Sequence, residues 1–204
     1  MLANSFYESN YDIKKLLTEI YTSEWFYNDK NIGTHIKSPV ELLVGIRRLL
    51  PMELDKPEVQ LLFQRALGQI LFYPPNVAGW PGGKNWIDSS ALMLRMRIPQ
   101  ILTAADDFVV KPKDDDDTMM GMDGVDKKAM ARQVNSAVDW AAITKVFDNI
   151  TRENLMQKIS DIVLQTKSKI NKDILDKYVD KDTRDGYIKS TIVELMSTPE
   201  YQLC

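Results

Sequence analysis

The chain has 204 residues, of which 44% are hydrophobic and 27% charged, a balance typical of a soluble globular protein of one domain, with or without an appendage. Its formal net charge of −3 argues against a general attraction to nucleic acid, and no apolar run reaches the ~18 residues of a membrane helix. The only cysteine is Cys204 and the only histidine is His35, which excludes intrachain disulfides, cysteine zinc sites and multi-histidine metal sites. We therefore expect no metal site, no cofactor, no nucleic-acid partner and no membrane span in this chain.

Apolar residues recur at helical spacing along most of the sequence, and no sustained alternation of period two suggests strands. The expected fold class is therefore all-α, an irregular multi-helix array with an ordered loop rich in proline, glycine and tryptophan. In chain order the predicted helices lie near 11–22, 38–50, 56–72, 88–98, 139–149, 152–168, 171–178 and 184–198.

Prolines and capping residues set the predicted helix ends. Residues 38–41, Ser-Pro-Val-Glu, form a capping box with proline at the first helical position, and Pro51 should end that helix. The paired prolines at 74 and 75 should stop the helix that begins near 56, because they disfavour helical geometry before them. Pro99 should stop the helix that begins near 88.

The segment 111–128 interrupts the helical pattern with six acidic and four basic residues. We interpret 111–130 as a mobile acidic loop between an N-terminal helical part, 6–108, and a C-terminal helical part, 135–203. Its four consecutive aspartates do not match the calcium-binding EF-hand pattern, so a solvated charge run is the better interpretation.

Two helical segments resemble each other. IKKLLTEIYTSEWF at 13–26 and IKSTIVELMSTPEY at 188–201 are both amphipathic and both end in a Ser/Thr pair, a glutamate and an aromatic residue. The structural interpretation of this echo is that each helix ends by tucking an aromatic side chain beneath it.

The stretch FYPPNVAGWPGGKNW at 72–86 has too many prolines and glycines for a helix and too many aromatic residues for an ordinary solvent-exposed loop. We favour an Ω-like corner in which the aromatics pack against the neighbouring helices. The alternative is an aromatic platform for a sugar or a peptide, in which Tyr73, Asn76, Trp80 and Trp86 would contact the ligand.

Two basic residues outside this stretch are further candidates. Arg95 lies on a mostly apolar helix and, if buried, needs an acidic or carbonyl partner, such as Glu41 or the carbonyls of the 72–86 loop. The alternative role is contact with an anionic ligand. Lys37 should be exposed or bonded to a carbonyl, and no catalytic residue is assigned. The candidate binding residues are Lys37, Tyr73, Asn76, Trp80, Trp86 and Arg95.

The sequences KSPVELL at 37–43 and LGQILFYPPNVAGWPGGKNWIDSSALMLRMR at 67–97 resemble the C-terminal part of the bacterial domain-of-unknown-function 1800 family. The ending MSTPEYQL at 196–203 is similar to the family's C-terminus. The matching positions are Lys37 to Pro39, Gly68, Gln69, Leu71, Phe72, Pro74 to Val77, Gly79 to Pro81, Gly83, Trp86 and Arg95.

This resemblance implies a fragment of a longer bacterial protein, because family members generally carry a further helical N-terminal portion. It also implies an extracytoplasmic setting, periplasmic or exported, and a partner from a sulfatase-like family of unknown function that is often encoded nearby. It supplies no catalytic residue.

Two functions remain open from the sequence. The first is a non-catalytic helical scaffold or binding module that acts with a partner protein. The second is the C-terminal part of an enzyme whose active site is completed by a missing N-terminal region. Convergence of Trp80, Trp86, Lys37 and Arg95 on one solvent-open pocket would favour the enzyme.

Overall fold

The computed structural model describes residues 1–104 and 134–204, and these residues are mostly helical, as the sequence predicts. The predicted acidic loop at 111–130 lies outside the described residues. The helices are α1 (Leu2–Glu8), α2 (Ile13–Tyr21), α3 (Pro39–Leu49), α4 (Glu58–Ala66), α5 (Ser89–Ala104), α6 (Trp140–Lys145), α7 (Arg152–Val163), α8 (Lys172–Leu175) and α9 (Arg184–Met196), and two short strands are β1 (Met52–Leu54) and β2 (Ser136–Val138).

A two-stranded antiparallel sheet corrects the expectation of an all-α fold. Strand β1 pairs with β2 so that Met52 faces Val138 and Leu54 faces Ser136. Each strand has three residues, which is too short to produce a recognisable alternation of polar and apolar residues. The sheet begins where Pro51 ends α3, and it joins sequence from both sides of the undescribed segment.

Helix α4 ends six residues earlier than predicted, at Ala66, because a glycine terminates it before the proline pair is reached. Gly68 has a φ of +83°, the left-handed conformation that glycine adopts without steric strain. The Gly68 amide donates to the Arg65 carbonyl (3.1 Å), and the Gln69 amide donates to the Gln64 carbonyl (2.8 Å). This pair of bonds is the Schellman pattern that closes a helix C-terminus.

Helix α5 continues through Pro99 to Ala104, so the prediction that Pro99 ends it is wrong. A proline inside a helix costs about 3 kcal/mol, through a lost hydrogen bond and a clash with the preceding turn. Burial of one aliphatic side chain contributes about 1.5–3 kcal/mol. Ile98 and Ile101, on either side of the proline, are both buried where α5 packs on α9, and together they offset the loss.

One hydrophobic core holds the described residues together. Helices α5 and α7 both pack against α9, and the core takes side chains from both sides of the undescribed segment. The two helical parts predicted from the sequence therefore share one core. Its most completely buried aliphatic side chains include Leu42, Ile46, Ile98, Leu155, Ile159, Ile188 and Leu195.

The first 32 residues, which we call the aromatic arm, contribute nothing to this core. Helices α1 and α2 pack on each other, and neither contains a buried residue. The two similar segments, 13–26 and 188–201, differ in whether their terminal aromatic side chain is buried. Tyr201 is 1% exposed, as the echo predicts, whereas Trp25 is 55% exposed, so the prediction is wrong for the arm.

Candidate functional site

Residues 35–37 lie antiparallel to residues 202–204, and we call this pairing the seam. His35 and Cys204 exchange two backbone hydrogen bonds, of 3.1 and 2.9 Å, and the Lys37 amide donates to the Gln202 carbonyl at 2.9 Å. Residues directly opposite each other in an antiparallel pair carry their side chains on the same face, and the pairing of Ile36 with Leu203 places Lys37 opposite Gln202. Lys37 and Gln202 consequently lie on the same side of the seam, and both are buried, at 7% and 2% exposure.

Arg95 reaches the seam from α5 and is completely buried, at 0% exposure. Its Nε donates to Oε1 of Gln202 at 3.0 Å, and its Nη2 donates to the backbone carbonyl of Lys37. Its Nη1 is buried and has no hydrogen-bond partner among the described residues. Burial lowers the pKa of Arg95 to about 10, with a small opposing effect from Glu41, so the guanidinium stays charged near neutral pH.

Lys37 is bonded to a carbonyl, one of the two outcomes expected for it. Its Nζ donates to the Tyr201 carbonyl at 2.7 Å and lies 4.0 Å from the centre of the Tyr201 ring. Burial lowers the pKa of Lys37, and Arg95 lowers it further, against opposing effects of Cys204 and Glu41. The Tyr201 hydroxyl is buried without a partner among the described residues, and burial raises the pKa of Tyr201.

The partners of Arg95 differ from those expected. The sequence suggested Glu41 or carbonyls of the 72–86 loop, whereas the structure gives the Lys37 carbonyl and the Gln202 amide. Both partners are neutral, so Arg95 fastens the seam to α5 through hydrogen bonds to backbone and amide oxygens. This arrangement is architectural, and it leaves the charged heads of Lys37 and Arg95 turned away from solvent.

The predicted capping box at the start of α3 is confirmed. The Ser38 amide donates to Oε2 of Glu41 at 2.6 Å, and the Glu41 amide donates to the Ser38 hydroxyl at 3.3 Å. His35 Nε2 lies 3.1 Å from the same carboxylate oxygen. Burial alone would raise the pKa of Glu41, but hydrogen bonds from Ser38 and His35 outweigh it, and the pKa falls below its ordinary 4.5.

Substitution of Glu41 with Gln is expected to reduce the acid sensitivity of the fold. Because the folded pKa of Glu41 lies below the unfolded value, its stabilisation is present above the unfolded pKa and is lost as pH falls through the folded pKa. Urea unfolding at about pH 7 and about pH 3 measures the loss, which should be smaller in Glu41→Gln than in the wild type. Glu153→Gln, an exposed glutamate on α7, is the control and should lose as much as the wild type. An equal loss in Glu41→Gln and the control would contradict the assignment.

The 72–86 loop places its aromatics differently from the expected corner. Phe72 is 90% exposed with a φ of +64°, and Tyr73 is also exposed, so the prediction that both pack against helices is wrong. Trp86 is buried as expected, and Trp80 is half-buried. Asn76 is exposed, and its side chain accepts a hydrogen bond from the amide two residues on, at 2.8 Å.

The six candidate binding residues therefore do not form one site. Lys37 and Arg95 come together, but inside the protein, whereas Tyr73 and Asn76 lie on the surface of the loop. None of the six lines either of the two grooves described below. Sequence reasoning missed Gln202 and Tyr201 as partners of the buried cations, although both lie in the ending MSTPEYQL that carried the family resemblance.

Two open grooves lie beside α3, and Arg48 lines both of them. One, of about 230 Å³, lies between the end of α3 and helices α6, α7 and α9 and is mainly aliphatic. The other, of about 320 Å³, lies between α3 and α4, and we call it the α3–α4 groove. The residues that line the α3–α4 groove are Val40, Leu43, Val44, Arg47, Arg48, Gln60, Gln64 and Leu71.

Within residues 1–104 and 134–204, no group of three or more His, Cys, Asp or Glu side chains is arranged to hold a metal ion. Over the same residues, no helix combines the length and the apolar character needed to span a bilayer.

The model of a protein family described as "Protein of unknown function (DUF1800)" matches residues 1–203. The chain belongs to this family. No curated protein and no solved structure matches the chain. Membership confirms the resemblance found in the motif at 67–97, and the family description assigns no activity, so a function has to be argued from the geometry.

Proposed function

We propose that this DUF1800 chain is a non-catalytic helical binding module that acts with a partner protein. The observation that carries the proposal is the aromatic arm, whose apolar side chains lie on the surface. Besides Met1, its exposed large apolar residues are Tyr7, Tyr11, Ile13, Leu17, Tyr21, Trp25, Phe26, Tyr27 and Ile32. Large exposed apolar surfaces mark interaction sites, and tyrosine and tryptophan are enriched among the residues that dominate binding energy.

The apolar face of α2 is regular, as a docking helix requires. Ile13, Leu17 and Tyr21 recur every four residues, so they form one stripe along the helix, and all three are exposed. Edge-to-face contacts between Tyr21 and Phe26, at 5.2 Å, and between Phe26 and Tyr27, at 5.2 Å, extend this stripe into the residues after α2. The stripe is held in shape by its own ring contacts.

The similarity between segments 13–26 and 188–201 supports a protein partner that covers the apolar face of α2. At 188–201 the pattern packs into the core and buries its terminal aromatic, Tyr201. At 13–26 the same pattern has no core beneath it in the described residues, and Trp25 lies in solvent. A partner that covers the arm would give the first copy the burial that the second copy obtains within the chain.

The net charge of the aromatic arm indicates which kind of partner surface would complement it. The arm carries five acidic and three basic residues, a net charge of −2. A partner surface with an apolar centre and a basic rim would complement it, because rim charges steer association and suppress wrong pairings. We take the partner to be a protein of the sulfatase-like family, in a periplasmic or otherwise exported setting, since the family resemblance implies both.

The buried cations support a module over the enzyme alternative. An enzyme completed by a missing N-terminal region would use Lys37, Arg95 or the aromatics of the 72–86 loop on substrate, and the two cations would then have to face a cavity. Both are buried, and their observed donors serve the Tyr201 carbonyl, the Lys37 carbonyl and the Gln202 amide.

A binding measurement with matched surface variants tests the proposal. The probe is a purified protein of the sulfatase-like family, titrated against the chain by biolayer interferometry. The triple variant Tyr21→Ser, Trp25→Ser and Tyr27→Ser should weaken binding by about tenfold or more. The control triple Met93→Ser, Ile174→Ser and Tyr178→Ser removes equally exposed apolar residues outside the arm and should change the Kd by less than about twofold.

Circular dichroism should show the same helix content in both triples, since every substituted side chain is exposed. Absence of saturable binding by the wild type, or equal losses in the two triples, would contradict the proposal.

A further inference from the structure

We propose that the α3–α4 groove binds a small amphipathic monocarboxylate, an unbranched acyl chain with a free carboxylate head. This inference does not rest on the arm or on a partner protein. The groove has about 320 Å³, at the lower end of the roughly 300–1,000 Å³ typical of small-molecule sites. That volume suits a single acyl chain and is too small for a docked helix.

The lining changes from apolar to cationic along α3. Val40, Leu43 and Val44 form the first part of the wall, and Arg47 and Arg48 follow in the last turn. A rise of about 1.5 Å per residue places the two arginines roughly 4–12 Å further along the helix than the aliphatic residues. One end of the groove therefore suits hydrocarbon and the other end suits an anion.

Two hydrogen bonds hold the apolar end of the groove in place without a ligand. The Leu71 amide donates to Oε1 of Gln64 at 2.8 Å, which holds Leu71 against α4 as a wall of the groove. The Val40 amide donates to Oε1 of Gln69 at 2.9 Å, which holds the start of α3 against the turn after α4. A preformed groove binds more tightly because less conformational entropy is lost on binding.

The charge at the other end favours a carboxylate. Among residues 1–104 and 134–204, no acidic side chain lines the groove, and both arginines are exposed. Arg47 gives one long hydrogen bond, of 3.4 Å, to the Met52 carbonyl, and a guanidinium has further donors. The negative end of the α3 dipole, about −0.5 charge, opposes an anion there, but two full positive charges outweigh it. Arginine pairs with carboxylates through two parallel hydrogen bonds, which a neutral or cationic head group cannot accept in the same way.

The test is a titration of the chain with octanoate, followed by amide chemical shifts in two-dimensional NMR. We expect saturable shifts confined to α3, α4 and Leu71, and binding about tenfold weaker for octanamide, which has the same chain without the charge. The double variant Arg47→Gln and Arg48→Gln should weaken octanoate binding by about tenfold. The control double Lys145→Gln and Lys158→Gln removes two exposed positive charges outside the groove and should bind octanoate like the wild type.

A second variant keeps the test decisive if loss of the arginines alters the fold. Val44→Asp places a negative charge on the exposed apolar wall, where it repels a carboxylate and, three and four residues before Arg47 and Arg48, can pair with their guanidinium groups. It should abolish octanoate binding while leaving the helix content unchanged. The inference is overturned by an absence of saturation, by shifts scattered over the surface, by equal affinity for octanoate and octanamide, or by undiminished binding to Val44→Asp. None of these outcomes bears on the binding measurement with the variants of the aromatic arm, so failure of this inference and failure of the proposed function can be told apart.

Discussion

Replacement of Gln202 with Leu is expected to lower the free energy of unfolding by about 1.5–3 kcal/mol, because it removes one of the hydrogen bonds to the buried Arg95 guanidinium and leaves Nε unpaired. Gln202 Oε1 accepts from Nε of Arg95, which is 0% exposed and has no solvent to replace the lost bond. Urea denaturation measures the change. The control Gln157→Leu removes an exposed glutamine and should change stability by no more than about 0.5 kcal/mol.

The double variant Arg95→Met and Gln202→Leu distinguishes an orphaned charge from simple loss of packing. It removes both ends of the Arg95–Gln202 bond but also the bond from Arg95 to the Lys37 carbonyl, so its loss of stability should be smaller than the sum of the losses in the two single variants. Additive effects of the two substitutions, or a Gln202→Leu variant within about 1 kcal/mol of the wild type, would contradict the role we assign to Arg95.

Truncation of Tyr201 to Ala is expected to destabilise the fold by about 3–5 kcal/mol, the usual range for removing a buried aromatic ring. The ring is 1% exposed and lies beneath the Lys37 ammonium, so the substitution removes both packing and a cation–π contact. Urea denaturation again gives the magnitude.

Tyr201→Phe is the matched control for this truncation. The hydroxyl is buried without a hydrogen-bond partner among the described residues, so its removal should be neutral or stabilising, by up to about 1 kcal/mol. A loss of more than about 2 kcal/mol in Tyr201→Phe would show that the hydroxyl has a partner and would contradict this view of the seam.

Local signals in the sequence predicted the local structure well. The capping box at Ser38 set the start of α3, and helical periodicity placed α2, α9 and the start of α7, although α7 ends at Val163 and not near 168. The errors arose where a second local signal or a tertiary contact decided the outcome. Gly68 ended α4 before the proline pair could, and packing against α9 carried α5 through Pro99.

The candidate site was less predictable because its partners are distant in sequence. Lys37 and Arg95 were recognised as candidates, but the bond from Arg95 to Gln202 spans 107 residues, and the bond from Lys37 to the Tyr201 carbonyl spans 164. Nothing in the composition of the 72–86 loop distinguishes buried Trp86 from exposed Phe72, since both are large aromatics in the same proline- and glycine-rich stretch. Which aromatic is covered depends on the three-dimensional packing around the loop.

Residue-resolved amide hydrogen exchange tests the central claim most directly, namely that the buried polar residues hold the fold while the arm is free to bind. The amides of Lys37 and Cys204, donors in the seam, are expected to exchange only through near-global unfolding. Amides of α2, which has no buried residue, are expected to exchange about 100-fold faster or more in the absence of a partner. Seam amides that exchange as fast as those of α2 would contradict the account.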